Sequence, residues 1–232
     1  MGQPRQRWST CQLVRQPRVY TWHPRKPDVM NGYPNIEFVP MLWGPNQVGE
    51  FQQYVRAGYA SHVLGFNEPD HNGQAHLDPG YAASLYAQHI TPLASQGYRL
   101  GSPATTNGPD GIAWMHSFMN ACGNCQISFM AAHWYGTRLE DLQAHLNMYH
   151  DTFGRPVWLT EYACQNFGGG AQCSNDQIWD FMRRSSEWMD NTSWIEKYSW
   201  FGALHNMNNV NYGNQILGGD GQPNALGWEY VN

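Results

Sequence analysis

The stretch His62-Val63-Leu64-Gly65-Phe66-Asn67-Glu68-Pro69-Asp70 places a carboxylate at the end of an apolar run. Val63, Leu64 and Phe66 suit a short strand buried on both faces. Pro69 has no backbone N–H and a fixed φ, so a ladder stops there. Glu68 is left at the C-terminal end of a buried strand, a costly place for a charge without a task or a partner. Val157-Trp158-Leu159-Thr160-Glu161-Tyr162 repeats the design with a second glutamate. Two carboxylates at the C-terminal ends of two parallel strands form the pair that glycosidic bond cleavage requires. Either glutamate alone reads as easily as half of a buried ion pair. The repetition of context outweighs that blander reading.

The elements that position the pair follow from the chain in order. Residues 1–16 are polar and irregular, with Trp8 to Val14 the one candidate strand. Arg18 to Trp22 reads as a strand stopped by His23-Pro24, and Ile36 to Trp43 as another, ended by Gly44-Pro45. A helix is expected from Val48 to Ala57, before the Glu68 strand. Asp78-Pro79 makes a good helix start, with an N-cap acid and proline at the first position. Ala82, Leu85, Tyr86, His89, Ile90 and Leu93 then fall on one helical face, with His89 expected as a core histidine and not a ligand. Arg99 to Pro103 is the next strand, Gly111 to Asn120 a helix, and Ile127 to Tyr135 a strand ending in His133-Trp134-Tyr135. Leu139, Leu142, Leu146, Tyr149 and Phe153 form another stripe, ended by Gly154 and Pro156. The Glu161 strand follows, then a capping box, Ser174 to Gln177, opening a helix with Ile178, Phe181, Met182, Ser185 and Met189 inward. Ile195 to Phe201 is the last clear strand; the tail shows a turn at Asp220-Gly221.

Strand and helix thus alternate with a period near 30 residues, the pattern of a parallel sheet with crossover helices. The glutamates are 93 positions apart with two strands between them, hence three strands apart. A doubly wound nucleotide-binding sheet is the alternative, but no Gly-rich phosphate loop follows the first strand.

At 232 residues the chain fits one domain or a compact (β/α)8 barrel. A formal charge of −5 with no Lys/Arg run argues against nucleic acid or an anionic membrane as partner. Eleven Trp, 13 Tyr and 9 Phe exceed what packing alone asks for, and aromatic faces stacked on sugar rings account for such a surplus. No apolar run reaches transmembrane length, and the N-terminus lacks a signal-peptide core. Cys122-Gly123-Asn124-Cys125 fits a local disulfide of a secreted chain better than a redox pair or half a zinc site, since no second CxxC or spaced histidines follow. Cys164 and Cys173 bracket a Gly-rich loop, and bridging them would stabilise by roughly 2.7 kcal/mol in the chain-entropy model. Cys11 is then left over. Asn191-Thr192-Ser193 is a glycosylation sequon, expected at an exposed helix C-terminus on the side away from the glutamates.

Six strand ends together resemble glycoside hydrolase family 128, the alkali-sensitive-linkage type with many fungal members. They are Phe38 to Trp43, Leu64 to Asp70, Gly101 to Ala104, Ala132 to Tyr135, Trp158 to Tyr162 and Tyr198 to Phe201, in that order. The resemblance implies a (β/α)8 TIM barrel of the clan that carries its acid/base on the fourth strand and its nucleophile on the seventh. Residues 19–232 would form that catalytic barrel, with 1–18 an irregular segment replacing strand one. It implies a retaining endo-β-1,3-glucanase with Glu161 as nucleophile and Glu68 as acid/base. Asn67 would bond the sugar 2-OH, Trp43, Trp134, Tyr162 and Trp200 would stack on sugars, with core packing an equal alternative for Trp43 and Trp200, His133 would bond sugar or carboxylate, and Tyr135 would donate to the nucleophile. No cofactor or metal is implied. The expected setting is a monomer acting on β-1,3-glucan, extracellular or in the cell wall. The competing readings are an inactive β-glucan-binding protein on the same barrel and a retaining hydrolase of another β-glycan.

Overall fold

The computed structural model describes residues 18–231, so the Trp8–Val14 strand, strand one and Cys11 lie outside the described residues. Seven parallel strands alternate with helices: β1 (Arg18–Val19), β2 (Glu37–Phe38), α1 (Val48–Tyr54), β3 (His62–Val63), α2 (Pro79–His89), β4 (Arg99–Leu100), α3 (Pro109–Ala121), β5 (Met130–Gly136), α4 (Leu139–Phe153), β6 (Val157–Cys164), α5 (Asn175–Asp190), β7 (Ile195–Trp200) and α6 (Ala225–Val231). Sequence neighbours are spatial neighbours throughout. Strand pairs β1-β2, β3-β4 and β5-β6-β7 are joined by the parallel bridges Met41 to Leu64 and Gly101 to Phe129. Tyr20 of the first strand's extension donates its hydroxyl to the Thr160 carbonyl in β6, and Trp22 meets Phe201 edge-on at 5.9 Å.

The early strands are shorter than the apolar runs that carry them. Ile36–Trp43 reads as one strand, yet the ladder covers Glu37–Phe38 and resumes only at Met41. Pro40 supplies no N–H to that ladder, and Pro103 does the same beyond β4. At Gly65 a Cβ would come 2.8 Å from the Pro103 nitrogen, so only glycine lets these two backbones approach.

Both faces of the sheet are buried, as the apolar runs require. Met41, Leu64, Phe129, Ala131 and Trp158 pack in one cluster. Leu42, Val63, Leu100, Met130, Ala132 and Leu159 alternate onto the other face, where the helices cover them. The helices begin where expected. Asp78 accepts from Gly80 N and Tyr81 N, and Ser174 and Gln177 form the capping box of α5. α4 ends on Gly154 at φ 60°, a left-handed cap. One correction falls in α2, where His89 is only partly buried and is not a core residue; in the tail, residues after the Asp220-Gly221 turn form α6 and bury Leu226. Asn191 is exposed at the C-cap of α5, next to the start of β7 and so at the strand ends away from the glutamates. Cys122–Cys125 and Cys164–Cys173 are both bridged. Among the described residues no helix is long and apolar enough to cross a membrane.

Candidate active site

Glu68 stands where the β3 run turns out of the sheet. Asn67 N donates to Trp43 O at 3.0 Å on one side, and Glu68 N to Ala104 O at 2.7 Å on the other. Glu68 has φ 41°, a left-handed conformation that costs a non-glycine residue about 1–3 kcal/mol. Pro69 forbids continuation, and the Asp70 carboxylate takes the Thr106 amide at 3.1 Å and the Thr106 hydroxyl, which fixes the turn. Such strain persists only where the surroundings over-determine it, as they do here.

Glu161 is aimed by a bulge. In the β5–β6 ladder Ala132 pairs with Leu159, but His133 pairs with Glu161. Thr160 is the extra residue. Strict alternation from the inward Trp158 through Thr160 would turn Glu161 toward the helices; the bulge takes Thr160 out of the alternation and keeps Glu161 on the Glu68 side. There its carboxylate accepts from Trp22 Nε1 at 2.6 Å and from the Tyr135 hydroxyl at 2.6 Å. Trp22 is also held at a left-handed φ of 50°.

His133 lies between the acids. Its Nδ1 is 2.9 Å from Glu68 Oε1 and 3.5 Å from Glu161 Oε2, and its ring is fully buried. Oxygens of the two carboxylates and a ring nitrogen of His133 all lie within 4.8 Å of one another. Burial works to raise the Glu68 carboxyl, but the His133 hydrogen bond and charge prevail and hold it below the usual carboxylate range. Burial works to lower His133, but the charges of Glu161 and Glu68 and the Glu68 bond prevail and raise it. Desolvation, then the Glu161 charge, drives the Tyr135 hydroxyl well above its ordinary value, so it stays a donor.

Around the carboxylates opens a cleft of about 1070 Å³, walled by Trp22, Trp43, Phe167 and Phe201 and by side-chain amides including Asn67, Gln74, Asn107, Asn206 and Asn208. Rings and amides together suit a neutral, hydroxyl-rich ligand. Asn67 Oδ1 is buried with no partner among the described residues, while its Nδ2 donates to Gln74 Oε1 at 3.2 Å. Of the residues expected here, Glu68, Glu161, Asn67, Trp43, His133 and Tyr135 converge.

Tyr162 and Trp200 do not. Tyr162 is fully buried and Trp200 3% exposed, packed edge-to-face at 4.9 Å in the layer under α5, with Trp200 Nε1 bonded to Asn214 O. Neither has a face to offer a sugar, so both are core residues. Trp134 stacks on Phe181 at 5.4 Å and also lines the cleft. Trp22, Phe167 and Phe201 were not among the expected residues. Their one signal in the sequence is an aromatic at or just beyond a strand end.

The family model described as glycosyl hydrolase catalytic core matches residues 14–230. Alkali-sensitive linkage protein 1 of Schizosaccharomyces pombe is 37% identical over 174 residues, which cover 73% of this chain and 32% of that protein. The chain thus spans about a third of the curated relative's length. Among solved structures, a glycoside hydrolase family 128 exo-β-1,3-glucanase of subgroup VI from Aureobasidium namibiae superposes with a TM-score of 0.83 at 26% identity, covering 93% of this chain and 85% of that one. A subgroup I endo-β-1,3-glucanase from Amycolatopsis mediterranei, in complex with laminaritriose, gives 0.75 at 31% identity, covering 92% and 88%.

Proposed function

The chain belongs to glycoside hydrolase family 128, within the glycosyl hydrolase catalytic core family, and on that premise we propose that it is a retaining endo-β-1,3-glucanase with Glu161 as nucleophile and Glu68 as acid/base. One observation carries the reading: carboxylate oxygens of Glu68, beyond β3, and of Glu161, within β6, lie within 4.8 Å of one another. Retaining enzymes hold the pair roughly 5–5.5 Å apart, and inverting enzymes need about 6.5–9.5 Å to admit a water. In the first step Glu161 attacks the anomeric carbon, the glycosidic bond breaks, and the leaving oxygen takes a proton from Glu68. In the second, Glu68 takes a proton from water, which displaces Glu161 and restores the original configuration.

The protein's own groups supply what each step lacks. Trp22 and Tyr135 orient the attacking carboxylate through one donor on each oxygen. The proton for the leaving group is held in the Glu68–His133 hydrogen bond. His133 binds it in the free enzyme and yields it to Glu68 as the bond to the leaving oxygen forms. The unpartnered Asn67 Oδ1 accepts the sugar 2-OH, a contact that strengthens as the ring flattens. Trp43 provides the stacking face.

The sheet closes into a (β/α)8 barrel of clan A type over residues 19–232. Parallel pairing in chain order and the contacts of Tyr20 and Trp22 with Thr160, Glu161 and Phe201 support this closure. An extracellular or cell-wall setting is supported by two disulfides. Release of reducing sugar from laminarin tests the reading, and short-lived long products would mark internal cleavage. Laminarin left intact beside hydrolysis of cellulose or mannan would move the assignment to another β-glycan.

A further inference from the structure

A single exposed aromatic is ordinary on a protein surface. Phe167 differs in where it stands and in how firmly it is held. It is 58% exposed at the tip of the loop that follows β6, and it lines the cleft. Its ring meets Tyr135 edge-on, with centroids 5.2 Å apart. The same Tyr135 donates to Glu161.

The loop is over-braced for a surface excursion. The Cys164–Cys173 bridge closes its base. Within it Asn166 N donates to Gln172 Oε1 at 3.0 Å, and Gln172 Nε2 returns to Asn166 O at 2.6 Å. Asn166 Oδ1 accepts from Gly168 N at 2.7 Å, which sets the turn just after Phe167. Below, Gln165 Oε1 takes the Asn211 amide at 2.7 Å. Gly169, at φ 79°, completes a reversal that returns the chain to Cys173. The bracing fixes a ring that buries little, so its cost is not recovered by packing in the free protein.

We infer that Phe167 is a sugar-stacking platform at a subsite beyond the residues bonded to the glutamates, held in place by the Cys164–Cys173 loop. The ligand class is the β-glucan chain of the proposed function, on which this inference rests. A distal platform serves long chains and not short ones. It acts on binding, because the bond-breaking groups are already oriented by Trp22, Tyr135 and His133.

The test is binding in a Glu161→Ala background, where chains are not consumed. Calorimetric Kd values for laminaritriose and laminarihexaose are compared with and without Phe167→Ala. We expect the hexaose Kd to rise roughly 5- to 30-fold, the value of one aromatic face with its buried area, and the triose Kd to change less than about twofold. Phe167→Trp should restore the hexaose value, and Cys164→Ala with Cys173→Ala should reproduce the loss. An unchanged hexaose Kd, or equal losses on both sugars, overturns the inference. Wild-type protein that cleaves neither sugar, with hexaose binding lost in Phe167→Ala, sinks the enzyme reading and upholds the platform.

Discussion

His133 and Glu161 face each other across the ladder because β6 carries one residue more than β5. Ala132 pairs with Leu159, His133 with Glu161, and Thr160 is left over between them. The nucleophile therefore points at the acid/base through a backbone irregularity and not through strand parity. A bulge beside an active site that re-aims one side chain is a recurrent device.

Thr160 is the residue that the bulge absorbs, and its hydroxyl makes only a long bond to Ala132 O. Thr160→Ala should keep laminarin hydrolysis within about threefold of wild type, a change under 1 kcal/mol. Deletion of Thr160 removes the bulge and leaves Glu161 directly after the outward Leu159, where ordinary alternation still turns it inward, so the deletion should keep measurable laminarin hydrolysis. Activity at background in a folded deletion variant would show that this register does not set the direction of Glu161.

His133 predicts a pH profile. The pair holds one proton between the lowered value of Glu68 and the raised value of His133. Activity should fall on the acid side below the ordinary Glu range, and on the alkaline side above the ordinary His range near 6.5. For stability the signs are the same. The lowered Glu68 contributes above about 4.3 and loses that contribution as pH falls, and the raised His133 contributes below about 6.5 and loses it as pH rises. His133→Asn should lower kcat roughly 10- to 100-fold and remove the alkaline limb set by the imidazole. An unmoved alkaline limb in that variant would exclude His133 from the proton inventory.

Two further groups, His145 beside His133 and Glu37 beside His62, add an acid sensitivity. Burial lowers His145 to about 4. Its contribution is complete above about 6.5 and lost as pH falls toward 4. Burial works to raise Glu37, but bonds from His62 and Ser61 and the nearby charges of His62 and Arg18 lower it to about 2. Its contribution is lost between about 4.5 and 2. Tm measured against pH should fall first below 6.5 and again below 4.5, and His145→Leu should flatten the first fall.

The buried and the cleft aromatics should separate cleanly. Trp200→Ala should cost about 3–5 kcal/mol of stability, the range for a large buried ring. Trp43→Ala should leave Tm within a degree or two and raise KM on laminarin several-fold. If Trp200→Ala raises KM while Tm stays put, its placement in the core is wrong.

Part of this site was legible in the residues and part was not. Glu68 shows itself because an apolar run stops at Asn-Glu-Pro, and Glu161 because the pattern recurs. Tyr162 is misread for a reason that strand parity supplies: it lies next to the inward Glu161, so it points to the helices. His133 and Tyr135 flank Trp134 and both face in. Trp22 reads as the end of a strand, and its bond to Glu161 depends on strands brought together from 139 positions apart. Phe167 sits in a Gly-rich loop with no periodicity to give it a direction. The first strands read longer than they are because apolar composition does not register the missing N–H of Pro40 or Pro103.

Trp22→Phe keeps the ring and removes the donor to Glu161 Oε1. We expect kcat to fall roughly tenfold, about 1.4 kcal/mol, with KM little changed. Tyr135→Phe should do the same on Oε2, and the double variant should lose more or less than the sum because both donors share one carboxylate. A rise in KM alone for Trp22→Phe would make the indole a binding contact instead.

The assignment of the two glutamates is tested most directly by the configuration of the azide adduct formed by Glu68→Ala. With an activated aryl β-glucoside the leaving group needs no proton, so Glu161 still forms the glycosyl-enzyme. Azide then enters on the face that water would use. Proton NMR should find the β-glycosyl azide, with configuration retained. An α-glycosyl azide from this variant would mean that azide had replaced a lost nucleophile, and the roles of Glu68 and Glu161 would be reversed.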